Sequence, residues 1–526
     1  MSLMGGLYVG ATALKTSSNA LNTVAHNLAN VDTTGYTRQQ VSLATRHYNI
    51  LSTSASAISY QEVGLGVKYA EVKQVRDYFL DKTYRQEYGR EAFYGVSSDT
   101  LTDVEDVLGE GTNDSGFSTA LSDFWSTVQE LAQDPSSSVT QGLFISKAQT
   151  MLSQASTIYK SITSYQDNLN TQVKTEVDSI NSYGKQLATL NLQIAKIESG
   201  GTEHANDLRD QRNTILDSLS QLCQTTYSED TDGNVSVQIE GTDFVRGDDY
   251  NAISLDTDSN GFYTPYWPQD ATTSVDASGK TVTDISNAKV FNLNLEISSQ
   301  QNTDIGKLKS TLLARGDHYA TSDDLTKGTD YYNTNIAGSV CMNVEAEFDN
   351  LISNIATKVN SVLTGAGYTD GTTNTDNSLF TRTSTSDGWH ISNLKINSNY
   401  LQTPSLLSMK TSDGSVDYTT ATSLKAAFQD ESYVLNPNLT QKTDFVDYYD
   451  NLVEQVTNSS SVAQTIYSSQ GTTVSSASDA RQQVVGVSSD EELQHMIEYQ
   501  NAYNAASRYI STVNDMLNSI ITAFGA

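Results

Sequence analysis

Residues 3–31 read LMGGLYVGATALKTSSNALNTVAHNLANV, and their apolar and small side chains recur in alternating steps of four and three. The recurring positions are Leu3, Leu7, Gly10, Leu14, Ser17, Leu21, Val24, Leu28 and Val31. A matching stripe runs along the other end of the chain, at Met496, Tyr499, Tyr503, Ala506, Ile510, Val513, Leu517, Ile520 and Phe524. Such steps keep one side of a helix facing a partner, so both ends are predicted to be helical. Because neither helix can bury its stripe alone, we expect the two to pack together.

The remaining faces of these two helices carry few charges. The charged residues in segments 2–35 and 493–526 are Lys15, Asp32, Glu498, Arg508 and Asp515. A solvated coiled coil normally carries glutamate and lysine on its outer positions. Short polar side chains can be packed closely without the cost of desolvating full charges. We therefore expect these faces to meet further protein; an ordinary amphipathic helix with a weakly charged surface is the alternative interpretation.

Composition limits the possible classes of protein. The length of 526 residues allows about two to four domains. The formal charge of −31 argues against nucleic acid or an anionic membrane surface as a partner. No segment approaches the roughly 20 apolar residues that span a bilayer, so no membrane insertion is expected. The N-terminus lacks a basic region and its apolar run is interrupted by glycines, so no Sec signal peptide is predicted. Cys223 and Cys341 are expected to be buried thiols.

The predicted fold class is an α+β multidomain fold. Long coiled-coil helices from both chain ends form a terminal domain, residues 1–35 and 489–526. A mainly helical body with some β structure covers 36–226 and 311–488. A β-rich outer domain is inserted at 227–310, where residues 234–239 alternate with period two and Asp232-Gly233 and Asn260-Gly261 mark turns.

Several element boundaries follow from local signals. The first helix is expected to stop at Ala29-Asn30, before turn-forming residues 32–35. A long helical pattern runs from 139 to 197, and Gly200-Gly201 separates it from a helix that ends near Leu222, which indicates an antiparallel hairpin. Further helices are predicted at 348–362 and 445–456. Residues 489–492 read Ser-Asp-Glu-Glu, and this sequence predicts a capping box that opens the last helix.

Three short motifs resemble the flagellar rod, hook and junction proteins, and most closely the hook-associated protein 1 family. The segment AHNLANVDTTGY at 25–36 resembles the part that this axial family shares, and its continuation YTRQ at 36–39 is similar to the hook-associated version. NDLRDQR at 206–212 resembles the mid-chain helix of that family, and GVSSDEE at 486–492 with YQNAY at 499–503 resembles its C-terminal signature. Thr34 stands where the family often has proline, which loosens the turn.

The resemblance implies a structural adaptor that joins the hook to the filament and is needed for filament assembly. It implies an extracellular location at the hook–filament junction and type III export without a cleaved signal peptide. The implied partners are further copies of the same chain in a ring, the hook protein, the second junction protein and a cytoplasmic export chaperone. The candidate assembly residues are the two stripes, with Asn27, Asn30, Gly35 and Tyr36 shaping the turn after the first helix.

Nothing in the sequence indicates an enzyme, a cofactor or a metal site. The six histidines are scattered, without an H-E-x-x-H pair, a G-x-S-x-G elbow or a P-loop. Asp256–Gly261 matches the start of a calcium loop, but Trp267 stands where the closing glutamate belongs, so a hairpin turn is the better interpretation. Glu198 and Asp207 are expected to be solvated helix-end charges. The alternatives are a hook or rod protein, a secreted calcium-binding adhesin, and a hydrolase hidden in 227–440.

Overall fold

The computed structural model describes residues 3–46, 49–53, 60–109, 116–201, 203–275, 281–365, 378–407, 409–411 and 413–525. The helices are α1 (Leu3–Ala29), α2 (Tyr78–Leu108), α3 (Phe117–Gln133), α4 (Ser138–Glu198), α5 (Asn206–Leu222), α6 (Lys307–Arg315), α7 (Ser322–Thr326), α8 (Thr329–Asn335), α9 (Val340–Thr364), α10 (Ser398–Gln402), α11 (Tyr418–Phe428), α12 (Phe445–Val485) and α13 (Ser489–Phe524). The strands are β1 (Gln39–Thr45), β2 (Asn49–Thr53), β3 (Tyr60–Val63), β4 (Val67–Gln74), β5 (Thr225–Glu229), β6 (Val235–Ile239), β7 (Thr242–Arg246), β8 (Asp249–Tyr250), β9 (Ser254–Thr257), β10 (Tyr263–Tyr266), β11 (Thr272–Val275), β12 (Thr281–Asp284), β13 (Phe380–Arg382) and β14 (Leu394–Ile396).

The α+β class with long terminal helices is confirmed. The chain forms two compact units. Unit 1 contains Met1–Gly89, Ile180–Ala252 and Thr472–Ala526, and unit 2 contains Arg90–Ser179 and Ile253–Gly471. The three-part domain division inferred from the sequence stays a prediction. The boundaries of the two units do not coincide with the predicted domain boundaries. The predicted β-rich segment 227–310, for example, is shared between both units.

Unit 1 is built around the pairing of the chain ends. α1 and α13 lie antiparallel, because Gly6 of α1 lies beside Val513 and Gly10 lies beside Ile510. On another side, α1 packs on the antiparallel pair β1–β4, whose register shifts between Ser42 and Leu43. Strands β5 to β8 form a four-stranded antiparallel sheet in sequence order.

The predicted hairpin of α4 and α5 is confirmed within unit 1. Leu190 and Ile194 of α4 pack against Leu208 and Ile215 of α5. Near the Gly-Gly turn Glu198 of α4 pairs with Arg209 of α5, and further from the turn Asn191 pairs with Arg212, so the two helices are antiparallel.

Unit 2 has a core of interlocking aromatic rings. Phe117 of α3 contacts Phe348 of α9 and Tyr449 of α12 edge-on, with ring centroids 5.1 and 4.8 Å apart. Phe124 contacts Phe428 of α11 in the same way at 5.3 Å. Burial of each ring stabilises the fold by about 1.5–3 kcal/mol, and the edge-to-face geometry adds about 0.5–1.5 kcal/mol. This core holds the helices of unit 2 together.

The β structure after residue 253 consists of small separate sheets. β9 and β10 form a two-stranded hairpin, and Oδ1 of Asp258 accepts hydrogen bonds from the backbone N–H groups of Asn260 (2.8 Å) and Phe262 (2.9 Å). Gly261 occupies the left-handed region at φ +89°, where glycine has no steric penalty. The predicted hairpin turn is therefore confirmed. β11 and β12 form a second, separate hairpin.

The predicted capping box is wrong by one residue. The N-cap of α13 is Ser488, whose Oγ accepts a hydrogen bond from the backbone N–H of Glu491 at 3.4 Å. Ser488 has extended backbone geometry, as an N-cap requires, whereas Ser489 is already helical. Two adjacent serines each have glutamate three residues later, so the sequence pattern fits both registers. The structure selects the one in which Glu491 reaches Arg38 at 2.9 Å.

Candidate assembly interface

The structure brings the two terminal stripes together along one seam. On α1, Val24 is buried, whereas Leu7, Leu14, Leu21 and Leu28 are half-buried. On α13, Ala506 and Val513 are buried, and Met496, Tyr499, Tyr503, Ile510 and Leu517 are half-buried. Every other described residue from 493 onward is exposed, so the buried and half-buried positions of α13 in this range are all stripe positions. The role of this seam in assembly stays a prediction.

Close approach of the two helices depends on glycine. A Cβ atom at Gly10 would lie 2.7 Å from Cγ1 of Ile510 and 3.0 Å from Cδ1 of Tyr509. A Cβ atom at Gly6 would lie 2.9 Å from the hydroxyl of Tyr509, at the far end of a flexible side chain. Gly10 therefore lets the backbones approach where a larger residue would separate them, whereas a Cβ at Gly6 would meet only the movable end of Tyr509.

The end of the α13 stripe extends past the start of α1. The neighbouring pairs Gly6 with Val513 and Gly10 with Ile510 place the first turn of α1 close to Leu517. Ile520 and Phe524 lie beyond that point and are 41% and 86% exposed. The side chain of Leu3, the first residue of the predicted stripe, lies outside the described residues. The last turn of α13 thus presents apolar surface that α1 does not cover.

Asn27 organises the turn that follows α1. Its side-chain amide donates to the carbonyl of Gln39 at 2.8 Å, and its Oδ1 accepts from the backbone N–H of Gln39 at 3.0 Å and from the Tyr36 hydroxyl at 2.7 Å. The pKa of Tyr36 is raised by burial and by the nearby carboxylate of Asp210. The phenol therefore stays protonated and keeps its role as donor.

Asn30 and Gly35 complete the turn in different ways. The side-chain amide of Asn30 donates to the carbonyl of His26 at 2.9 Å, which also accepts from the backbone N–H of Asn30 at 3.2 Å at the end of α1. Gly35 has φ +81°, and a Cβ there would lie 2.7 Å from Oγ1 of Thr214. Two cavities of about 240 and 380 Å³ border this turn. Its shape therefore depends on hydrogen bonds more than on packing.

The sequence reasoning missed the contact between α1 and the β1–β4 pair. Arg46, at the end of β1, lies over the ring of Tyr8 and donates a hydrogen bond to its hydroxyl. Gly66 approaches Val9 and Thr12 so closely that a Cβ would meet Oγ1 of Thr12. This pair explains the burial of Thr16, Ala20 and Thr23, which lie off the predicted stripe. The alternation of Val41, Leu43 and Thr45 was the signal that could have revealed the strand.

The mid-chain motif 206–212 forms hydrogen bonds with two neighbouring parts of unit 1. Towards the turn and β4, Asp210 accepts hydrogen bonds from the backbone N–H of Thr37 (3.2 Å) and the side chain of Gln74 (2.7 Å). Burial raises the pKa of Asp210 above its ordinary value. Asn206 donates to the carbonyl of Val72 at 3.2 Å. The N-terminal end of α5 thereby binds both the turn after α1 and strand β4, which packs on α1.

The other side of the motif binds the loop before β6. Arg209 forms two 2.7 Å hydrogen bonds to the carboxylate of Glu198. Arg212, which is 2% exposed, donates to the carbonyl of Gly233 at 2.5 Å. Glu198 is therefore a paired structural residue, and its interpretation as a solvated helix-end charge was wrong. Asp207 is exposed, as expected.

Three arginines and two aspartates link further elements of unit 1. Arg481 of α12 contacts Asp81 of α2 at 3.1 Å and Asp217 of α5 at 2.7 Å. Arg85 binds Asp217 at 2.6 Å, and Arg76 binds Asp81 at 2.8 Å. Shared carboxylates fix the relative rotation of α2, α5 and the end of α12. The cluster is structural, because each charge has an opposite charge in contact.

The described residues do not assemble a catalytic triad in the region of the suspected hydrolase. Ser322 and Asp349 both contact Nδ1 of His390, at 3.3 and 2.8 Å, and Nε2 faces Asp323 at 3.4 Å. A triad needs a ring nitrogen that is free to take the proton of the serine, and here each ring nitrogen of His390 already faces a carboxylate. Within the described part of the chain, no group of three or more His, Cys, Asp or Glu side chains is arranged to hold a metal ion. Across the same residues no helix has the length and hydropathy of a membrane span.

Comparison with known families assigns different parts of the chain to flagellar models. Residues 101–380 match the model of the flagellar hook-associated protein FlgK helical domain. Residues 7–37 match the flagella basal body rod protein model, and 481–523 match the C-terminal model of flagellar basal body rod FlgEFG proteins. The last two matches cover α1 with its turn and most of α13.

Curated relatives extend over the whole chain. Flagellar hook-associated protein 1 of Bacillus subtilis is 30% identical over 526 residues, covering 99% of this chain and 98% of that protein. The protein of the same name from Salmonella typhimurium is 24% identical, covering 97% and 98%. The solved structure of the flagellar hook junction protein FlgK from Burkholderia pseudomallei has a TM-score of 0.41 and 19% identity, covering 57% of this chain and 46% of that one. The match to the helical-domain model and the identity to the Bacillus protein show that this chain belongs to the flagellar hook-associated protein 1 family.

Proposed function

We propose that the chain works as a non-catalytic adaptor between hook and filament, and that the α1–α13 pair is the part that packs into the flagellar axis. The proposal rests on the apolar surface of α13 outside the seam. Ile497, Met516 and Ile521 are 59%, 51% and 65% exposed there, on a helix with few charges. Exposed apolar surface of this kind is typical of a protein interface.

A second surface supports assembly through the body of the chain. Residues 455–478 of α12 carry no charged side chain, although the chain as a whole has a net charge of −31. Val462 and Ile466 are 59% and 38% exposed along this run. Because copies with this net charge repel one another, contacts between them are expected at uncharged surfaces. We therefore include further copies of the chain, arranged as a ring, among its partners.

The remaining partners follow from membership of the family. We infer that one end of the ring contacts the hook protein and the other the second junction protein, and that an export chaperone covers the apolar face of α13 in the cytoplasm. Export without a cleaved signal peptide belongs to the same proposal. A hook or rod protein is less well supported, because residues 101–380 match the hook-associated helical domain.

The test is a charge placed on the seam in cells. Leu517→Asp puts an unpaired carboxylate on a half-buried seam position, at a cost on the order of several kcal/mol. Cells with this variant should build hooks but release flagellin into the medium. Leu517→Met is the matched control, because it preserves volume and apolarity and should leave filaments normal.

Export must be separated from assembly in this test. The Leu517→Asp chain should be found in the medium in normal amount, because the change affects packing along the seam. Normal filaments on these cells would contradict the proposed role of the α1–α13 pair.

A further inference from the structure

An apolar patch lies on unit 2, far along the chain from the terminal helices. Leu293, Leu295 and Ile297 are 38%, 48% and 47% exposed on a segment without helix or strand. Their spacing of two is the pattern of a strand, although here Asn292 accepts a hydrogen bond from the backbone N–H of Asn294 and forms a turn. Three apolar side chains are therefore presented to solvent together. These three side chains form the 293–297 patch.

The segment that carries the patch is held in place. Oγ1 of Thr303 donates to the carbonyl of Glu296 at 2.6 Å and accepts from the backbone N–H of Ser298 at 2.7 Å. Asp304 follows directly and forms a buried ion pair with Arg90 at 3.0 Å. A surface fixed in this way loses little conformational entropy on binding. The patch is thus a preorganised contact surface.

A cavity opens beside the patch. Its volume is about 460 Å³, and Phe291, Leu293, Leu312 and Leu313 contribute its apolar wall. Leu312 and Phe291 are almost fully buried, so they form the floor, and Leu293 stands at the border between cavity and patch. A side chain that lies on the patch can therefore reach into the cavity.

The same unit presents a hairpin that lacks a third strand. Among the residues that the structure describes, β11 and β12 pair with each other alone, from Thr272 with Asp284 to Val275 with Thr281. All four residues of β11 are exposed, and Val275 is 68% exposed. An isolated two-stranded hairpin is at best marginally stable in water. β-Branched residues with no face to pack against indicate that the hairpin packs on another surface.

We propose that the 293–297 patch is a contact between neighbouring copies of this chain, and that its occupant is the β11–β12 hairpin of the adjacent copy. β11 carries no charge, β12 carries one, Asp284, and the patch segment carries one, Glu296, so the contact involves little of the repulsion expected from a net charge of −31. A contact between two different surfaces of one chain is heterologous, and heterologous contacts close into rings when the rotation permits.

The contact need not be strong in isolation. It rests on the proposed ring of copies, in which the terminal helices hold the subunits and raise the effective concentration of patch and hairpin. The free chain then exposes both surfaces without associating through them. Cross-linking in assembled flagella is therefore the appropriate test.

Thr273→Cys and Leu295→Cys are introduced together into the full chain, and isolated hook–filament preparations are treated with a short bismaleimide. Both native cysteines are fully buried, so they contribute no background. The double variant should yield a ladder of dimers and higher multimers of this chain. A junction that assembles and carries filaments but yields no ladder would overturn the proposal. It would leave the adaptor function standing, because the filaments report on that separately.

Matched controls identify the occupant. Thr273→Cys with Leu439→Cys places the second thiol on an equally exposed leucine of unit 2, at 45% exposure, and should yield no ladder. Each single variant should also remain monomeric. Dimers from Leu295→Cys alone would mean that the patch meets a second patch, which would overturn the hairpin as occupant.

Discussion

The hydroxyl of Tyr36 donates a 2.7 Å hydrogen bond to Oδ1 of Asn27 across the turn that ends α1. The same amide exchanges two hydrogen bonds with the backbone of Gln39, at 2.8 and 3.0 Å, as a neighbouring strand would. Asn27 is 1% exposed. One side chain thus directs the path from α1 into β1 through a turn that borders two cavities.

Asn27→Ala should lower the free energy of unfolding of the chain by about 2–4 kcal/mol, because three hydrogen bonds are lost and the Gln39 backbone groups are left unpaired. Tyr36→Phe should cost about 1 kcal/mol, since it removes one of these bonds. Urea denaturation measures both. Asn22→Ala, at an exposed position on the same helix, should change stability by less than about 0.5 kcal/mol. Equal losses of unfolding free energy in Asn27→Ala and Asn22→Ala would contradict the role of Asn27 in stabilising the turn.

Gly6→Ala and Gly10→Ala should have opposite effects on the α1–α13 pair. Both gain about 1 kcal/mol of helix propensity. The new methyl at Gly6 meets the movable hydroxyl of Tyr509, so Gly6→Ala should be neutral or stabilising. The methyl at Gly10 meets Cγ1 of Ile510 at 2.7 Å, so Gly10→Ala should force the helices apart and cost about 1–3 kcal/mol. Hydrogen exchange of the α1 amides measures the stability of the helix pair in the two variants. Stronger protection in Gly10→Ala than in Gly6→Ala would refute the prediction.

Addition of calcium should not raise the melting temperature of the protein, and EDTA should not lower it. Oδ1 of Asp258 is already engaged by two backbone N–H groups, and Trp267, at the position of the missing carboxylate, is 2% exposed. A cation that binds only the folded state would stabilise it by mass action, so a thermal melt detects moderate affinity. A rise of several degrees with calcium would revive the adhesin alternative.

The terminal helices could be predicted from the sequence because their pattern is local and repeated. Steps of three and four identified the face of α13 that meets α1, and Gly200-Gly201 identified the break between α4 and α5. Where two adjacent residues offered the same capping chemistry, as at Ser488 and Ser489, the local pattern could not choose the register.

The polar contacts around the turn could not be predicted, because their partners are distant in sequence. Thr37 meets Asp210 and Arg85 meets Asp217 only after α2, α4 and α5 are placed. β1 was missed because the alternation of Val41, Leu43 and Thr45 extends over only five residues. The motif resemblance pointed to Asn27 and to 206–212 as important, but only the structure shows that they hold the same turn.

The last prediction concerns three buried or half-buried groups of unit 2. Burial raises the pKa of Glu345 and of Glu347 from 4.5 to about 8. Hydrogen bonds to the carboxylates of Asp317 and Asp324 raise the pKa of His318 from 6.5 to about 9. A group with a raised folded-state pKa stabilises the fold fully below its unfolded pKa, and this contribution is lost as the pH rises through the folded value. The loss therefore extends from about pH 4.5 to about pH 8 for the two glutamates and from about pH 6.5 to about pH 9 for His318.

We therefore expect the urea midpoint of unit 2 to fall between pH 6 and pH 9, the window set by the pKa values of about 8 and 9. Glu345→Gln is the diagnostic variant, because its amide oxygen can still accept the 2.9 Å hydrogen bond from the backbone N–H of Ala320 without ionising. It should flatten the pH dependence and raise the midpoint at pH 9 relative to the unchanged chain. Exposed Glu431→Gln controls for the loss of one formal charge and should leave the slope as it was. A midpoint that rises towards pH 9 in the unchanged chain would show that these groups are not held protonated by the fold.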